Sequence, residues 1–342
     1  MSAPTRSHSG ARRAIRYELD VVATRGPILE SRHRVHAAVV DSRGELIGSA
    51  GDTSLVTAWR SCAKPMQAAS FVAAGIPDAV GWGDDELALA CASHAGEPEH
   101  VAIASHMLES IGLEEGDLAC GPHEPLSRRG FKLLRDSGLH PTRLHNNCSG
   151  KHAAMLAYAV RSGEGALGYQ RVEHAVQQGA LAMVARWTGI PAQRVLVAVD
   201  GCGVTTFGLP LEAMAIAFAR FATAAERGEE VPSRVFGAMR SRPFLVGGTD
   251  RFDTVILEET DGAVIAKVGA EGMHSVAIPA RGLGLAIKVE DGGQRAQHVA
   301  LIRLLQLLRV LPDELPARLA AFARTTVVNT RGETVGELAP LA

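Results

Sequence analysis

Strand-like sequence stands at both ends of this chain, and helical sequence fills the middle. Near the amino terminus, the apolar run at residues 35–41 predicts a buried strand, and the turn after it predicts a hairpin partner at residues 45–51. Near the carboxyl terminus, residues 263–269 and 282–289 have the same strand pattern. Strands that are separated from helices along a chain are typical of an α+β domain. We therefore expect an antiparallel sheet formed from both chain ends, with a helical block between them.

Apolar periodicity and helix-ending residues mark out the helical block. Pro65 suits only the first turn of a helix and Gly75 is a stop signal, so one helix should run from near Lys64 to Gly75. Residues 195–199 and 254–258 are rich in β-branched residues and predict two more strands. The other predicted helices cover residues 84–92, 99–111, 128–136, 153–161, 172–188, 211–225 and 298–310.

Composition narrows the class of protein. With 46% hydrophobic and 21% charged residues, the chain can bury a large core, and its net charge of −2 gives no electrostatic case for binding nucleic acid or an anionic membrane. No segment has the apolar length of a membrane span. Five cysteines, an odd number without tight pairing, favour a reducing compartment such as the cytoplasm. Residues 1–14 predict a flexible tail, and no linker divides residues 15–342.

Lysine is scarce in this chain, and its few positions are informative. Only five of the 35 basic residues are lysines. Arginine cannot lose its proton in a protein whereas lysine can, so lysine should be kept where a base or a neutral-amine ligand is needed. Lys64, Lys151 and Lys267 lie in motifs that contain glycine, serine or cysteine, and we interpret them as functional. Lys132 and Lys288 lie in no motif and are expected at the surface.

The motif Ser61-Cys62-Ala63-Lys64 places a hydroxyl and an amine three residues apart at the expected start of a helix. A lysine held neutral by burial or by a second cation is able to accept the proton of a serine nucleophile. The alternative is that Ser61 only caps the helix, because this spacing also occurs by chance. Reactive side chains are also concentrated at three predicted loops, residues 93–98, 146–152 and 200–203.

The order of these motifs is similar to that of a group of serine acyl-transfer enzymes. Ser-x-x-Lys, then a serine-bearing turn at Ser93, then Lys267-Val268-Gly269 on a strand resembles the layout of penicillin-binding proteins, class A β-lactamases and serine glutaminases. Two departures argue against β-lactam chemistry. Val268 has no hydroxyl, and Ser93-His94-Ala95 is not Ser-Asp-Asn.

A narrower resemblance covers nearly the whole chain from about residue 15. Six motifs, in the same order, resemble those of the rhizobial-type L-asparaginases, also called the asparaginase II family or class 3. They are Arg60-Ser61-Cys62-Ala63-Lys64-Pro65, Ser93-His94-Ala95-Gly96-Glu97-Pro98, Cys120-Gly121-Pro122-His123, Asn147-Cys148-Ser149-Gly150-Lys151-His152, Asp200-Gly201-Cys202-Gly203 and Gly269-Ala270-Glu271-Gly272.

The resemblance implies a serine β-lactamase and glutaminase-like fold, a single catalytic domain over residues 15–342, a homodimer, and hydrolysis of L-asparagine to L-aspartate and ammonia. Ser61 resembles the family's nucleophile. The residues that activate it and shuttle its proton are matched by Lys64, Ser93 and Lys267. A zinc ion close to the substrate is also implied, with its ligands matched by Cys148, Lys151 and Cys202. Residue type alone would favour two buried apolar cysteines instead.

An α-amino acid substrate also needs a cation for its carboxylate and an acid for its ammonium group. By residue type and position, Arg60 or Arg251 is the candidate for the first role, and Asp200 or Glu271 for the second.

Two loop histidines, His94 and His152, are further candidates for contact with the substrate, and His152 is favoured over His94 because it lies next to a residue that matches a zinc ligand. The alternative is that they only hydrogen-bond their surroundings.

Two other functions remain open. The first is a glutaminase or another serine acyl-hydrolase on the same scaffold, because one methylene changes binding by only about 1–3 kcal/mol. The second is a non-catalytic module that binds zinc or an amino acid. The presence of both Ser61 and Lys64 argues against the second, since binding alone requires neither.

Overall fold

The computed structural model describes residues 14–341, so the tail predicted for residues 1–14 lies outside the described residues except at residue 14. The strands are β1 (Ile15–Arg16), β2 (Val21–Arg25), β3 (Ile28–His33), β4 (Val35–Asp41), β5 (Leu46–Ala50), β6 (Val56–Ala58), β7 (Leu196–Val199), β8 (Thr205–Pro210), β9 (Ile265–Val268), β10 (Met273–Ile278), β11 (Leu283–Val289), β12 (Thr325–Val328) and β13 (Thr334–Pro340). The helices are α1 (Lys64–Ala73), α2 (Ile76–Val80), α3 (Asp84–Cys91), α4 (Pro98–Glu109), α5 (Arg128–Asp136), α6 (Ser149–Arg161), α7 (Ala175–Thr188), α8 (Leu211–Glu226), α9 (Glu230–Ser241), α10 (Pro243–Val246), α11 (Phe252–Glu259), α12 (Gln294–Leu307) and α13 (Ala317–Ala323).

The central sheet has six strands in the order β1-β5-β4-β11-β10-β9. Its middle pair joins the two ends of the chain, because β4 runs antiparallel to β11 from Val35 opposite Val289 to Asp41 opposite Leu283. Each neighbouring pair in this sheet is antiparallel except the two-residue strand β1, which is parallel to β5. The predicted α+β class, with strands from both chain ends and a helical block between, is confirmed.

Two smaller sheets complete the architecture of residues 14–341. One again combines both chain ends, in the order β12-β13-β2-β3, and the other has the order β6-β8-β7. In the smaller of the two, β7 is exposed along its whole length, including Leu196 and Val199. Within the described range, no helix has the length and apolar character required to cross a membrane.

The central sheet is buried on both faces. Alternate residues of β4 contribute to different cores: Ala38 and Val40 join the core with the helical block, whereas Ala37 and Val39 join a second core with α12. On the first face α8 lies so close to β11 that a Cβ at Gly284 would overlap the backbone of α8. A strand that is apolar on both faces reads as a continuous hydrophobic run, which is why the sequence identified β4 so clearly.

One predicted strand is wrong. Residues 254–258 lie in α11, and all of the residues from 252 to 257 are buried. A run of four apolar and β-branched residues, 254–257, fits either a buried strand or a buried helix, so periodicity cannot distinguish them. Packing decides here, because α11 lies against α10, α13 and β9 in the interior.

The two lysines that were expected at the surface differ in their exposure to solvent. Lys132 is exposed and pairs with Asp136 one helical turn away, as expected. The prediction for Lys288 is wrong, because this residue is only 9% exposed and its amine donates to the carbonyl oxygens of Glu271 and Val289. Those backbone acceptors satisfy the amine and permit its burial.

Candidate active site

Ser61 lies at the start of α1, as the sequence predicted. Residues 60–63 form a 3-10 turn that continues into α1, with Pro65 in the first turn and Gly75 in a left-handed conformation just beyond the helix. Arg60 has a φ of 52°, which strains a non-glycine backbone and turns the chain sharply before Ser61. The Ser61 hydroxyl is half-buried and has no hydrogen-bond partner within residues 14–341.

Lys64 is fully buried behind Ser61. Its amine donates to the carbonyl oxygen of Ala92, and it lies 3.3 Å from both Ser93 Oγ and the carbonyl oxygen of Asn147. Among the described atoms it makes no hydrogen bond with the Ser61 hydroxyl. Lys64 is therefore connected to the hydroxyl of Ser93.

Lys267 reaches the same hydroxyl from β9. Its amine donates to Ser93 Oγ at 2.8 Å and to the carbonyl oxygen of Val268 at 2.8 Å. Burial lowers the pKa of Lys267 to about 8, an effect that Asp253 opposes and Lys64 reinforces. Two amines that were predicted from separate motifs thus meet at one serine hydroxyl.

Asp253 is a residue of this site that sequence reasoning missed. Its carboxylate lies 3.7 Å from the amine of Lys267 and 3.0 Å from Nε2 of His274, and it accepts the N–H of Val268 at 2.8 Å. Burial alone would raise the pKa of Asp253, but these neighbours hold it below its ordinary value. The sequence does place the Asp253 carboxylate at the end of a glycine-rich segment, which is a position typical of site residues. It was missed because residues 254–258 were wrongly predicted as a strand.

A cavity of ≈ 450 Å³ opens in front of Ser61. Its walls come from the loops after α3 and β9, the turn between β7 and β8, and the loops leading to α6 and α11. Seven of the residues predicted from sequence line it, namely Arg60, Ser61, Ser93, Cys148, Asp200, Cys202 and Arg251. A cavity of this size suits a small molecule such as an amino acid.

The two candidate arginines differ in what they contact. The Arg60 guanidinium forms an ion pair with Asp200, with Nε 2.5 Å from Oδ1. Burial would raise the pKa of Asp200, but Lys151 and Arg60 outweigh it and hold the pKa below the usual value. Arg251 also lines the cavity, and across residues 14–341 its guanidinium forms no ion pair. Arg251 is therefore the cation available to an anionic ligand.

The predicted zinc ligands converge at one wall of the cavity. Helix α6 begins at Ser149, four residues earlier than predicted, so Lys151 lies in its first turn, and its amine is 3.0 Å from Cys202 Sγ. A hydrogen bond from the Cys148 thiol and the charge of Lys151 lower the pKa of Cys202 to about 5. The same hydrogen bond, with burial, raises the pKa of Cys148 to about 12.

This cluster fits a zinc ion by the chemistry of its donors. Two sulfurs and an amine meet beside Asp200, whose Oδ2 is 3.8 Å from Cys202 Sγ, and sulfur and nitrogen ligands suit zinc. Within the described part of the chain, no group of three or more His, Cys, Asp and Glu side chains is arranged to hold a metal. The predicted set differs from such a group because its third member is a lysine.

Both candidate histidines are buried outside the cavity lining. His94 accepts the N–H of Gly96 at Nδ1 and lies 2.9 Å from Ser149 Oγ through Nε2, so both nitrogens are engaged in holding loops. His152 Nδ1 is 2.6 Å from the Tyr169 hydroxyl, and its Nε2 has no partner among the described residues. These contacts favour the alternative of structural histidines.

Glu271 also lies outside the cavity lining. It is exposed with a φ of 59°, and its carboxylate lies beside Gly292. No described contact supports the predicted role of Glu271 in binding an ammonium group.

Glu97 is a second residue that sequence reasoning did not assign. Its side chain is completely buried and joins three parts of the site, because it accepts the N–H and hydroxyl of Thr249, both at 2.8 Å, and a hydrogen bond from Arg129 of α5. Burial would raise the pKa of Glu97, but these hydrogen bonds outweigh it and hold the pKa below its usual value. Glu97 thereby fixes the loop that carries Arg251 against the turn that carries Ser93.

Comparison with known proteins identifies a family. A family model described as L-asparaginase II matches residues 21–340. A crystal structure of Mglu in its glutamate form matches with a TM-score of 0.45 and 15% identity, covering 81% of this chain and 61% of that chain. A β-lactamase from Mycobacterium bovis matches with a TM-score of 0.35 and 14% identity, covering 80% of this chain and 94% of that chain. No curated protein sequence matches.

The contacts of Glu97 generate a stability prediction. We expect Glu97→Gln to lower the free energy of unfolding by about 1–3 kcal/mol, because hydrogen bonds to a buried charged group are lost. Glu99→Gln is the matched control, since Glu99 also pairs with Arg129 but is 46% exposed, and it should cost less than about 1 kcal/mol. Denaturant unfolding of both variants measures the difference, and equal losses would contradict the anchoring role.

Proposed function

The chain belongs to the L-asparaginase II family, and we propose that it is an amidohydrolase that converts L-asparagine to L-aspartate and ammonia with Ser61 as its nucleophile. One observation carries the proposal: a single cavity contains Ser61 together with Ser93, whose hydroxyl contacts the buried amines of Lys64 and Lys267. A protein that only binds zinc or an amino acid has no use for such a set of proton donors and acceptors.

In the proposed acylation step, Ser61 Oγ attacks the side-chain carbonyl carbon of asparagine, and the bond to the amide nitrogen breaks. The serine proton passes to Lys64, directly or through the Ser93 hydroxyl, and then to the leaving nitrogen, which departs as ammonia. Water then attacks the acyl-enzyme ester, losing its proton along the same route. Aspartate is released and the Ser61 hydroxyl is restored.

Backbone N–H groups of Ser61 and Ala270 are the proposed donors to the oxyanion. Both residues line the cavity, and neither N–H is bonded to described backbone. The neighbouring N–H of Gly269 is unavailable, because it binds the carbonyl oxygen of Met273 at 2.7 Å. Two preorganised donors at this position would stabilise the negative charge that develops on the carbonyl oxygen.

The α-carboxylate of the substrate is assigned to Arg251, because Arg60 is already paired with Asp200. The α-ammonium group is assigned to Asp200, because the hydrogen bond from Arg60 uses only Oδ1 of this carboxylate, and Lys151 and Arg60 hold its pKa below the usual value. A substrate bearing both charges would thus be held at both ends of its α-carbon, with its side chain directed to Ser61.

Zinc remains part of the proposal. Cys148, Lys151 and Cys202 would hold it, and a bound zinc ion would supply a Lewis acid at the cavity wall that helps to position the substrate. Lys151 would have to release its proton to become a ligand, and Cys148 likewise, so metal binding would release protons and weaken at low pH.

Glutamine is the second candidate substrate. The cavity of ≈ 450 Å³ has room for one more methylene, which alters binding by only about 1–3 kcal/mol. Comparing kcat/KM for asparagine and glutamine distinguishes the two. The homodimer and the cytoplasmic location stay predictions.

Removing the proposed nucleophile tests the function directly. Ser61→Ala should reduce ammonia release from asparagine by at least about 10³-fold, because no acyl-enzyme can form. Ser70→Ala, a buried serine of the same helix that bonds only the carbonyl oxygen of Gln67, should retain activity. Substantial turnover by the Ser61 variant would move the nucleophile elsewhere, with Ser93 examined first.

The proposal that Lys64 is the general base predicts the activity of Lys64 variants. Lys64→Arg should lose activity as severely as Lys64→Ala, because arginine keeps the charge but cannot accept the serine proton. Lys132→Arg, at the exposed position, should retain activity and serves as the control. Circular dichroism establishes that each variant folds, and an active Lys64→Arg enzyme would limit position 64 to a fixed cation.

The metal site is tested by elemental analysis of freshly purified protein. We expect about one zinc per chain, lost in Cys202→Ser because the cluster then lacks one of its two sulfurs. Cys91→Ser, at a buried position in the apolar core, should retain the metal. Protein without zinc, or a Cys202 variant that keeps it in full, would remove the metal from the proposal and leave the serine chemistry unaffected.

A further inference from the structure

The amine of Lys267 is surrounded by groups that favour a positive charge. It donates to Ser93 Oγ and to the carbonyl oxygen of Val268, and its third side faces the carboxylate of Asp253, with Nζ 3.7 Å from Oδ2. Lys267 is fully buried and Asp253 is 2% exposed, so little water screens the attraction between them. An ammonium group has three N–H donors and no acceptor, which matches these three oxygen neighbours.

The amine of Lys64 has different surroundings. Two of its contacts are carbonyl oxygens, of Ala92 and Asn147, and the third is Ser93 Oγ. Within residues 14–341 Lys64 takes part in no ion pair. A neutral amine has two N–H donors and one lone pair, which matches two carbonyl acceptors and one hydroxyl that is able to donate.

The hydroxyl of Ser93 completes this assignment of protons. It accepts a hydrogen bond from Lys267 at 2.8 Å and lies 3.3 Å from the amine of Lys64. If Lys64 is neutral, the lone pair of its amine is the acceptor for the Ser93 proton. We propose that Asp253 is a positioning residue that keeps the positive charge on Lys267 and so leaves Lys64 as the neutral base. The inference rests on the proposed function and deepens it, because it states which of the two lysines takes the serine proton and what selects it.

The other titratable groups around Lys267 do not compete with Asp253. The thiols of Cys62 and Cys91 face it from the 3-10 turn and from α3, and burial raises the pKa of each to about 12, so both are neutral. His274 on β10 faces the far oxygen of Asp253, 3.0 Å from Oδ1. Cys148 raises the pKa of Lys267 less than Asp253 does.

Without Asp253, two buried amines would share one hydroxyl with nothing to distinguish them by charge. A proton on Lys64 would abolish its function as a base, and a neutral Lys267 would have a lone pair that competes with Lys64 for the Ser93 proton. An opposite charge at this distance shifts the pKa of its partner by about 1–3 units. The carboxylate of Asp253 therefore governs the protonation state in which the site works.

The first test is the dependence of kcat/KM for asparagine on pH. In the wild type, activity should fall on the alkaline side as Lys267 loses its proton, near its pKa of about 8. In Asp253→Asn this fall should move to lower pH by at least about one unit, since the charge that raises the pKa of Lys267 is gone. Activity at pH 7.5 should drop at least about threefold, because a one-unit shift lowers the fraction of molecules that carry a protonated Lys267 by that factor.

Asp261→Asn is the matched control. It removes one carboxylate from the connection that follows α11, and Asp261 is exposed with no side-chain hydrogen bond in the described structure. Its pH profile should match that of the wild type. If Asp253→Asn also keeps the wild-type alkaline limb, the inference is overturned.

The second test does not depend on activity and covers the case in which Asp253→Asn folds poorly. Lys267→Met should lower Tm, because it leaves a buried carboxylate without its partner. Adding Asp253→Asn to Lys267→Met should recover at least half of that loss. If Asp253 served only to anchor the N–H of Val268 and His274, the second substitution would lower Tm further, and the inference would fall.

The two tests separate this inference from the function on which it rests. A wild-type protein that releases no ammonia from asparagine or glutamine would overturn the proposed function, and with it the pH argument. A wild-type protein that releases ammonia, together with an unshifted Asp253→Asn profile, would overturn only the assignment of charge.

Discussion

The antiparallel pairing of β4 with β11 is the constraint on which the site depends. It joins strands from opposite ends of the chain, and its register is fixed from Val35–Val289 to Asp41–Leu283. Because β10 and β9 continue the sheet from β11, this pairing brings Lys267 to the helical block, where Lys64 and Ser93 lie. A shift of one residue in this register would turn every side chain of β4 to the opposite core.

The site also depends on the burial of ionisable side chains. Lys64, Lys151 and Lys267 are each less than 5% exposed, and an unpaired charge in such a place would be costly. Each of the three has its own compensation. Lys151 lies 3.0 Å from Cys202 Sγ, and Lys267 faces Asp253. Within residues 14–341, the amine of Lys64 contacts carbonyl and hydroxyl oxygens and no carboxylate. The scarcity of lysine in the chain, which first drew attention to these positions, therefore has a physical basis in amines whose protonation state is set by their surroundings.

The sequence alone identified those side chains whose residue type and motif are unusual. A Ser-x-x-Lys pair before a helix, two cysteines in polar loops and a lysine before glycine are recognisable without coordinates, and the residues involved converge on one cavity wall or directly behind it. Asp253 and Glu97 were not assigned a role, because carboxylates are common at such positions. The role of each depends on the side chains and N–H groups that pack against it in the fold. His94 was a candidate for contact with the substrate, and its two nitrogens are engaged by Gly96 and Ser149.

The sequence by itself determined the α+β class and the start of α1 near Lys64, and it supplied the candidate reactive groups, because these follow from local periodicity, from the geometry of Pro65 and from side-chain chemistry. Only the tertiary structure decided that residues 254–258 are helical and that Lys64 contacts Ser93 and makes no bond with Ser61. It also decided that, among residues 14–341, Arg60 has an ion-pair partner and Arg251 has none. The reason is the same in each case. A short buried run has no periodicity that separates helix from strand, and the partner of a charged side chain is set by segments distant in sequence that packing brings together.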